Sequence, residues 1–261
     1  MSGMKKSFAR LKENQFLFEE LVKRDFKIKY KRTILGVGWS LLSPLLTLLV
    51  MKLVFTQFFG RNTPHYTIYI FCGNVVWSYF SEATKGGMHA LIGNAEIFSK
   101  VNVPKYLFVL SKNVQSLLSF LLTLIILFLF VAFDTLPFTW RYLMLVYPIV
   151  LLVLFNIGLG MVLSALYVFF RDTEYLYDVF LRLLMYLSAI FYNVSNYDAH
   201  VQRMFLINPV YLFIKYFRCV IIDGNLPSAQ FHLLMLADTV IVFLLGCLIY
   251  KKNNTKFLYY V

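Results

Sequence analysis

Residues 117–133 read Leu-Leu-Ser-Phe-Leu-Leu-Thr-Leu-Ile-Ile-Leu-Phe-Leu-Phe-Val-Ala-Phe, and only Ser119 and Thr123 in this run are polar. A helix rises about 1.5 Å per residue and a bilayer's hydrocarbon core is about 30 Å thick, so roughly 20 apolar residues cross it. Extended back to Tyr106, the run is long enough. The whole chain agrees: its 261 residues are 60% hydrophobic, 18% aromatic and only 15% charged. Soluble domains carry about 25% charged residues. The mean hydropathy is +0.69. This composition excludes a soluble globular domain and predicts an all-α integral membrane fold.

Working outward from that segment, the hydropathy pattern predicts six transmembrane helices, at about 37–59, 66–85, 106–133, 140–170, 175–192 and 231–250. Turn-forming residues punctuate them: Gly60-Arg61-Asn62-Thr63-Pro64, Gly86-Gly87 and Asp134-Thr135-Leu136-Pro137. Residues 193–230 hold a further apolar stretch, broken by Asn208-Pro209 and charged at Arg203, Lys215 and Arg218. It reads as a re-entrant extracellular segment, because irregular backbone at that depth requires protein or a water-filled cavity around it. Residues 1–36 form a cytoplasmic arm, 37–252 the six-helix domain and 253–261 a cytoplasmic tail. Within the arm, Phe8, Leu11, Phe18, Leu21 and Phe26 recur at helical spacing among lysines. That pattern is a basic amphipathic helix lying in the headgroup plane.

The charge distribution orients the chain. On this map 19 of the 25 Lys and Arg fall on one side, ten of them in residues 1–36, and five on the other. Positive residues stay in the cytoplasm, so both termini are expected inside. The net charge of +12 is a topology signal and an attraction to anionic lipid heads, with no nucleic-acid partner implied. No secretory leader is expected, since the first 36 residues lack an early apolar core. Cys72, Cys219 and Cys247 lack metal-type spacing, as do the four histidines, and no catalytic or metal role follows.

The stretch from Arg24 to Pro44 is the most informative. It reads Arg-Asp-Phe-Lys-Ile-Lys-Tyr-Lys-Arg-Thr-Ile-Leu-Gly-Val-Gly-Trp-Ser-Leu-Leu-Ser-Pro. It resembles the inlet signature of the membrane subunits of bacterial ABC-2-type exporters of lipid-linked polysaccharide, with Arg24, Asp25, Lys27, Lys29, Tyr30, Thr33, Leu35, Gly36, Trp39 and Pro44 at the fixed positions. Leu35-Gly36 also permits a bend, Trp39 suits a headgroup-level anchor, and Pro44 falls where the first span can kink. Asn94–Pro104 resembles the family's coupling loop against the ATPase, with Val103 and Lys105 where Phe and Arg are usual. Phe170-Arg171-Asp172 resembles the motif closing the fourth span. Leu206-Ile207-Asn208-Pro209 with Tyr216-Phe217-Arg218 resembles the extracellular gate.

The resemblance implies a homodimeric permease working with two copies of a separate ATPase, which carries the ATP and Mg. This chain has no G-x-x-x-x-G-K-[ST] loop and needs no cofactor of its own. The substrate implied is a polymer on a polyprenyl diphosphate in the bacterial plasma membrane. Arg24, Lys27, Lys29, Lys31 and Arg32 are candidates for its anionic head. Asn94, Glu96, Phe98, Lys100, Pro104 and Lys105 are candidates for coupling to the ATPase. Arg171 and Asp172 would form a cytoplasmic gate, and Asn208, Pro209 and Arg218 an extracellular one. Aromatic faces suit a sugar chain, and Tyr69, Trp77, Tyr79, Phe80, Tyr186, Phe191 and Tyr192 are candidate lining residues, with core packing as the alternative. Lys52 and Asp238 lie at similar depth in the first and last spans and are expected to pair, or else to snorkel and bond locally. Asp178 and Arg182 have i,i+4 spacing. Competing functions are an ABC-2 permease for drugs or small lipids and a membrane-embedded glycosyl- or acyltransferase. The latter would carry clustered Asp or His at one face, which is not seen here.

Overall fold

The computed structural model describes residues 13–31, 35–59, 64–101, 103–134 and 136–260. Its helices are α1 (Gln15–Tyr30), α2 (Trp39–Phe59), α3 (Tyr66–His89), α4 (Ala95–Lys100), α5 (Tyr106–Phe133), α6 (Val146–Phe169), α7 (Thr173–Leu187), α8 (Ala199–Phe205), α9 (Pro209–Ile221), α10 (Ala229–Asn253) and α11 (Phe257–Tyr260). Among the described residues there is no strand. Among the described residues, three helical segments are long and apolar enough to cross a membrane: Tyr106–Phe133, Trp140–Phe169 and Ala229–Asn253. The pair α8 and α9 passes the same test together, bent by 108° at its break.

The third predicted span coincides with α5. Gly36 adopts φ +51°, a left-handed backbone that glycine takes without strain, and turns the chain from α1 into α2. Pro44 lies inside α2, as expected. The second segment runs further than predicted, through Gly86-Gly87 to His89. Gly87 is there for packing: a Cβ on it would come within 2.9 Å of the Gly160 Cα. The fifth segment is shorter than predicted. α7 ends at Leu187, so its 15 residues extend only about 22 Å.

α3, α5, α6 and α10 form the body. Small residues set its closest approaches, as is usual where helices pack in lipid. A Cβ on Gly158 of α6 would lie 2.6 Å from the Phe243 Cα of α10, and one on Gly246 of α10 would lie 2.5 Å from the Gly158 carbonyl oxygen. The interior holds Phe71, Phe80, Phe108, Phe213, Tyr216 and Phe217, all fully buried.

Polar contacts gather at two ends of this bundle. One end joins Lys29 to Glu82, Asp25 to Lys112, Lys85 to Asp178, His89 to Glu174, and Lys105 to the Asn254 carbonyl. The other joins His65 to Asp134, Arg141 to the Gly224 carbonyl, and Tyr147 to the His232 carbonyl. Two expected pairs are not formed. Lys52 and Asp238 make no ion pair, because α2 packs on α3 and α5 while α10 packs on α6. Asp178 is taken by Lys85 at 2.7 Å, across to α3, instead of by Arg182 on its own helix.

Candidate functional site

A cavity of about 440 Å³ opens between α2, α3 and α5. Each helix presents it with a polar stripe at helical spacing: Ser40, Ser43 and Thr47 from α2; Asn74, Ser78 and Glu82 from α3; Ser116, Ser119 and Thr123 from α5. Trp39, Tyr79 and Phe120 supply aromatic faces between them. Lys29 of α1 reaches into the same cavity, with Nζ 2.7 Å from Glu82 Oε1 and donating to Ser119 Oγ at 2.9 Å. The hydroxyls of Thr47 and Thr123 turn back to the Ser43 and Ser119 carbonyls. Asn74 and Ser116 do not: they are 4% and 3% exposed, line the cavity, and make no hydrogen bond among the described residues. A groove with this lining suits water or a hydroxyl-bearing ligand, and so does its depth among apolar helices.

At the end where α1 docks, Asp25 is 3% exposed and pairs with Arg24 at 2.8 Å and Lys112 at 3.1 Å. The Arg24 guanidinium also donates to Asn94 Oδ1 at 2.7 Å, while Asn94 Nδ2 donates to the Ala90 carbonyl at 2.7 Å. Asn94 is thus a rivet that ties α1 to the start of α4. Phe98 is buried against Phe108, and the Lys105 ammonium sits 5.8 Å over the Phe98 ring. Burial lowers the Lys105 pKa from the ordinary lysine value. Glu96 and Lys100 remain exposed on α4.

At the opposite end, residues 189–192 form a non-helical turn in which Ala189 takes φ +50°. Each of its four carbonyls accepts from a side chain. Arg218 donates to Ala189 and Ile190 at 2.9 and 2.8 Å, Tyr66 to Phe191 at 2.7 Å, and Tyr69 to Tyr192 at 2.7 Å. Arg218 also donates to the Tyr69 carbonyl at 3.2 Å and stacks 3.4 Å over the Tyr69 ring. Asn208 caps α9: its side-chain oxygen accepts from the Val210 and Tyr211 amides, and its amide donates to Ser188 Oγ at 3.0 Å. Pro209 occupies the first turn, where its missing N–H costs nothing. The Asn-Pro break in the sequence is therefore a helix start.

Residues 17–222 match the family model described as "ABC-2 type transporter". The chain belongs to that family. The transporter chain is 28% identical over 246 residues to the O-antigen export system permease protein RfbA of Myxococcus xanthus, covering 92% of this chain and 94% of the relative. It is 27% identical over 249 residues to the protein of the same name from Klebsiella pneumoniae, covering 93% and 95%. It is 20% identical over 244 residues to the polysialic acid transport protein KpsM of Escherichia coli, covering 92% and 94%.

In the transporter chain, three of the residues expected to hold an anionic head, Arg24, Lys27 and Lys31, line one pocket of about 670 Å³ together with Lys23, while Lys29 lines the groove. Arg24 is engaged with Asp25 and Asn94, Lys29 faces the groove, and Lys27 and Lys31 are exposed. Arg32 lies outside the described residues, and the Tyr30 side chain is not among those described. Leu35 is exposed and Pro104 half-buried. Arg171 stacks over Tyr167 at 5.5 Å and is exposed, as is Asp172. Among the aromatic candidates, Tyr79 borders the groove and donates to Asn113 at 2.9 Å. Phe80 is core, Trp77 half-buried beside it, and Tyr186 exposed. Phe191 and Tyr192 belong to the 189–192 turn, and Tyr69 holds it. The hydroxyl stripes escaped the sequence reading. Their signal is the spacing 40/43/47, 74/78/82 and 116/119/123 in otherwise apolar segments.

Proposed function

We propose that the chain is the permease subunit of an ATP-driven exporter of polyprenyl-diphosphate-linked polysaccharide. The cargo is an O-antigen, a teichoic acid or a related cell-surface glycan, moved from the cytoplasm across the bacterial plasma membrane. The observation that carries the reading is similarity over nearly the whole chain to permeases named for O-antigen export and to a polysialic acid transport protein. Six membrane passages, with both termini cytoplasmic, accord with the two-ended pattern of polar contacts. α3 begins beside Asp134 and ends beside Glu174, and α5 begins beside Asn254 and ends beside His65. The bent pair α8–α9 then stays at the outer end as the re-entrant gate, with Asn208, Pro209 and Arg218 fixing its shape.

The working unit is two copies of this chain with two copies of a separate ATPase, on which ATP and Mg bind. Glu96 and Lys100 are the exposed contacts for the ATPase, while Asn94, Phe98, Pro104 and Lys105 hold α4 in position. ATP-driven movement at α4 passes to α1 through Asn94 and Arg24. Arg171 and Asp172 stand at the inner end of α7 as its gate.

Co-purification with a separate ATPase expressed in the same cells tests the class, and ATP hydrolysis stimulated by the lipid-linked glycan tests the function. A complex that hydrolyses ATP at the same rate with and without that glycan, but responds to drugs or short lipids, would overturn the polysaccharide reading. Asn94→Leu is expected to leave the complex assembled and hydrolysing ATP while surface polysaccharide falls about tenfold, since it removes a charge-assisted contact worth about 1.5–3 kcal/mol. Equal losses of ATP hydrolysis and export would assign Asn94 to docking instead.

A further inference from the structure

We infer that the cavity between α2, α3 and α5 binds the diphosphate-linked sugar at the lipid end of the cargo, with Lys29 exchanging its carboxylate partner for the diphosphate. The inference rests on the polysaccharide-export reading and names where that substrate's head would sit. Three observations carry it. Among the described residues that line the cavity, the basic one is Lys29, held 2.7 Å from Glu82 and 2.9 Å from Ser119. Apart from Lys29 and Glu82 the described lining is neutral and hydroxyl-rich, with Trp39, Tyr79 and Phe120 offering flat faces. Asn74 and Ser116 are 4% and 3% exposed, and both line the cavity.

The Asn74 amide and the Ser116 hydroxyl open onto the cavity, where a ligand or water can complete their hydrogen bonds. Asn74 offers both donor and acceptor, the pattern that pairs with a sugar hydroxyl or acetamido group. Ring faces contact the apolar side of a pyranose. A diphosphate and the Glu82 carboxylate are both anions and compete for the Lys29 ammonium. Without the ligand, Glu82 keeps Lys29 from being a lone cation. With the ligand, phosphate oxygens take the ammonium, and Glu82 is released toward Ser119 and water. No bond is made or broken; the exchange is one of ion pairs.

The test measures binding to the full chain in detergent by calorimetry. The probes are farnesyl diphosphate, its N-acetylglucosamine-1-diphospho counterpart and inorganic diphosphate. The wild-type chain should bind the sugar-bearing lipid most tightly and inorganic diphosphate most weakly. Lys29→Ala should weaken both lipids about tenfold, the loss of one charge-assisted contact. Glu82→Gln should tighten both, about threefold or more, because it removes a competing like charge. Asn74→Leu should abolish the preference for the sugar-bearing lipid and leave farnesyl diphosphate unchanged. Glu82→Gln that binds no better, Asn74→Leu that keeps the preference, or inorganic diphosphate that binds as well as either lipid would each overturn the groove assignment. Restoration of surface polysaccharide in cells lacking the permease reads the export function separately. A chain that restores export without an Asn74-dependent preference overturns the groove alone; one that does neither overturns both.

Discussion

Arg218→Ala is expected to lower the thermal midpoint of the detergent-solubilised chain by roughly 6–12 °C, from about 3 kcal/mol of lost satisfaction at about 2–4 °C per kcal/mol. The guanidinium serves the Ala189, Ile190 and Tyr69 carbonyls at once and stacks on the Tyr69 ring. Alanine abandons all three acceptors in a buried site. Arg218→Lys should recover little, because one ammonium cannot reproduce a planar fork of donors or its stacking. The turn at 189–192 includes Ala189 in the left-handed region, a conformation that persists only when its surroundings impose it. Losing Arg218 should therefore also open the turn, seen as faster amide exchange at residues 188–192 while the core of α5 stays protected. A lysine variant with the wild-type midpoint would show that charge alone suffices there.

The second large effect is expected at the crossing of α6 and α10. A leucine at Gly158 would drive its Cβ to 2.6 Å from the Phe243 Cα and 2.9 Å from the Val242 carbonyl carbon. These are backbone atoms and cannot rotate away, so the helices must part. Overpacking that side chains can absorb costs about 1–3 kcal/mol, and this substitution should exceed it. Gly158→Leu is expected to yield almost no monodisperse protein, and Gly246→Leu the same. Gly93→Ala is the control: a Cβ added there would meet nothing within 4 Å, and it should behave as wild type. Size-exclusion profiles of the three variants decide the matter. A monodisperse Gly158→Leu chain would mean that this crossing is not fixed.

How far the sequence foretold these features differs by kind. α5 was legible because its stretch 117–133 holds only apolar side chains and two hydroxyls. The bend at Leu35-Gly36 and the cap at Asn208-Pro209 were legible because glycine and proline act through local sterics. The full length of α3 was not, since Gly86-Gly87 reads as a stop until Gly160 is known to lie against it. Nor was the end of α7, which depends on an arginine some thirty residues later. Lys52 and Asp238 matched in depth, but depth does not specify which helices are neighbours. The candidate site followed the same division. Lys29 stood out as one basic residue among several, and only tertiary structure separated it from Arg24, which is spent on Asp25 and Asn94. Ser119 and Thr123 looked like interruptions in an apolar run; with Ser116 they are one wall of the groove.

The joint made by Arg24, Asp25, Asn94 and Lys112 bears on how these proteins can be recombined. Its four side chains come from three stretches far apart in the chain, and Asp25 is almost wholly enclosed by the others. A hybrid that imports a foreign amino-terminal arm but retains the resident 94 and 112 positions inherits half of a lock. Unless the donor supplies the same acid and the same arginine, a half-buried lysine loses its carboxylate or a buried carboxylate loses one of its two cations. The arm, the 94 region and the 112 region are thus a single unit of exchange, although more than eighty residues separate its first member from its last.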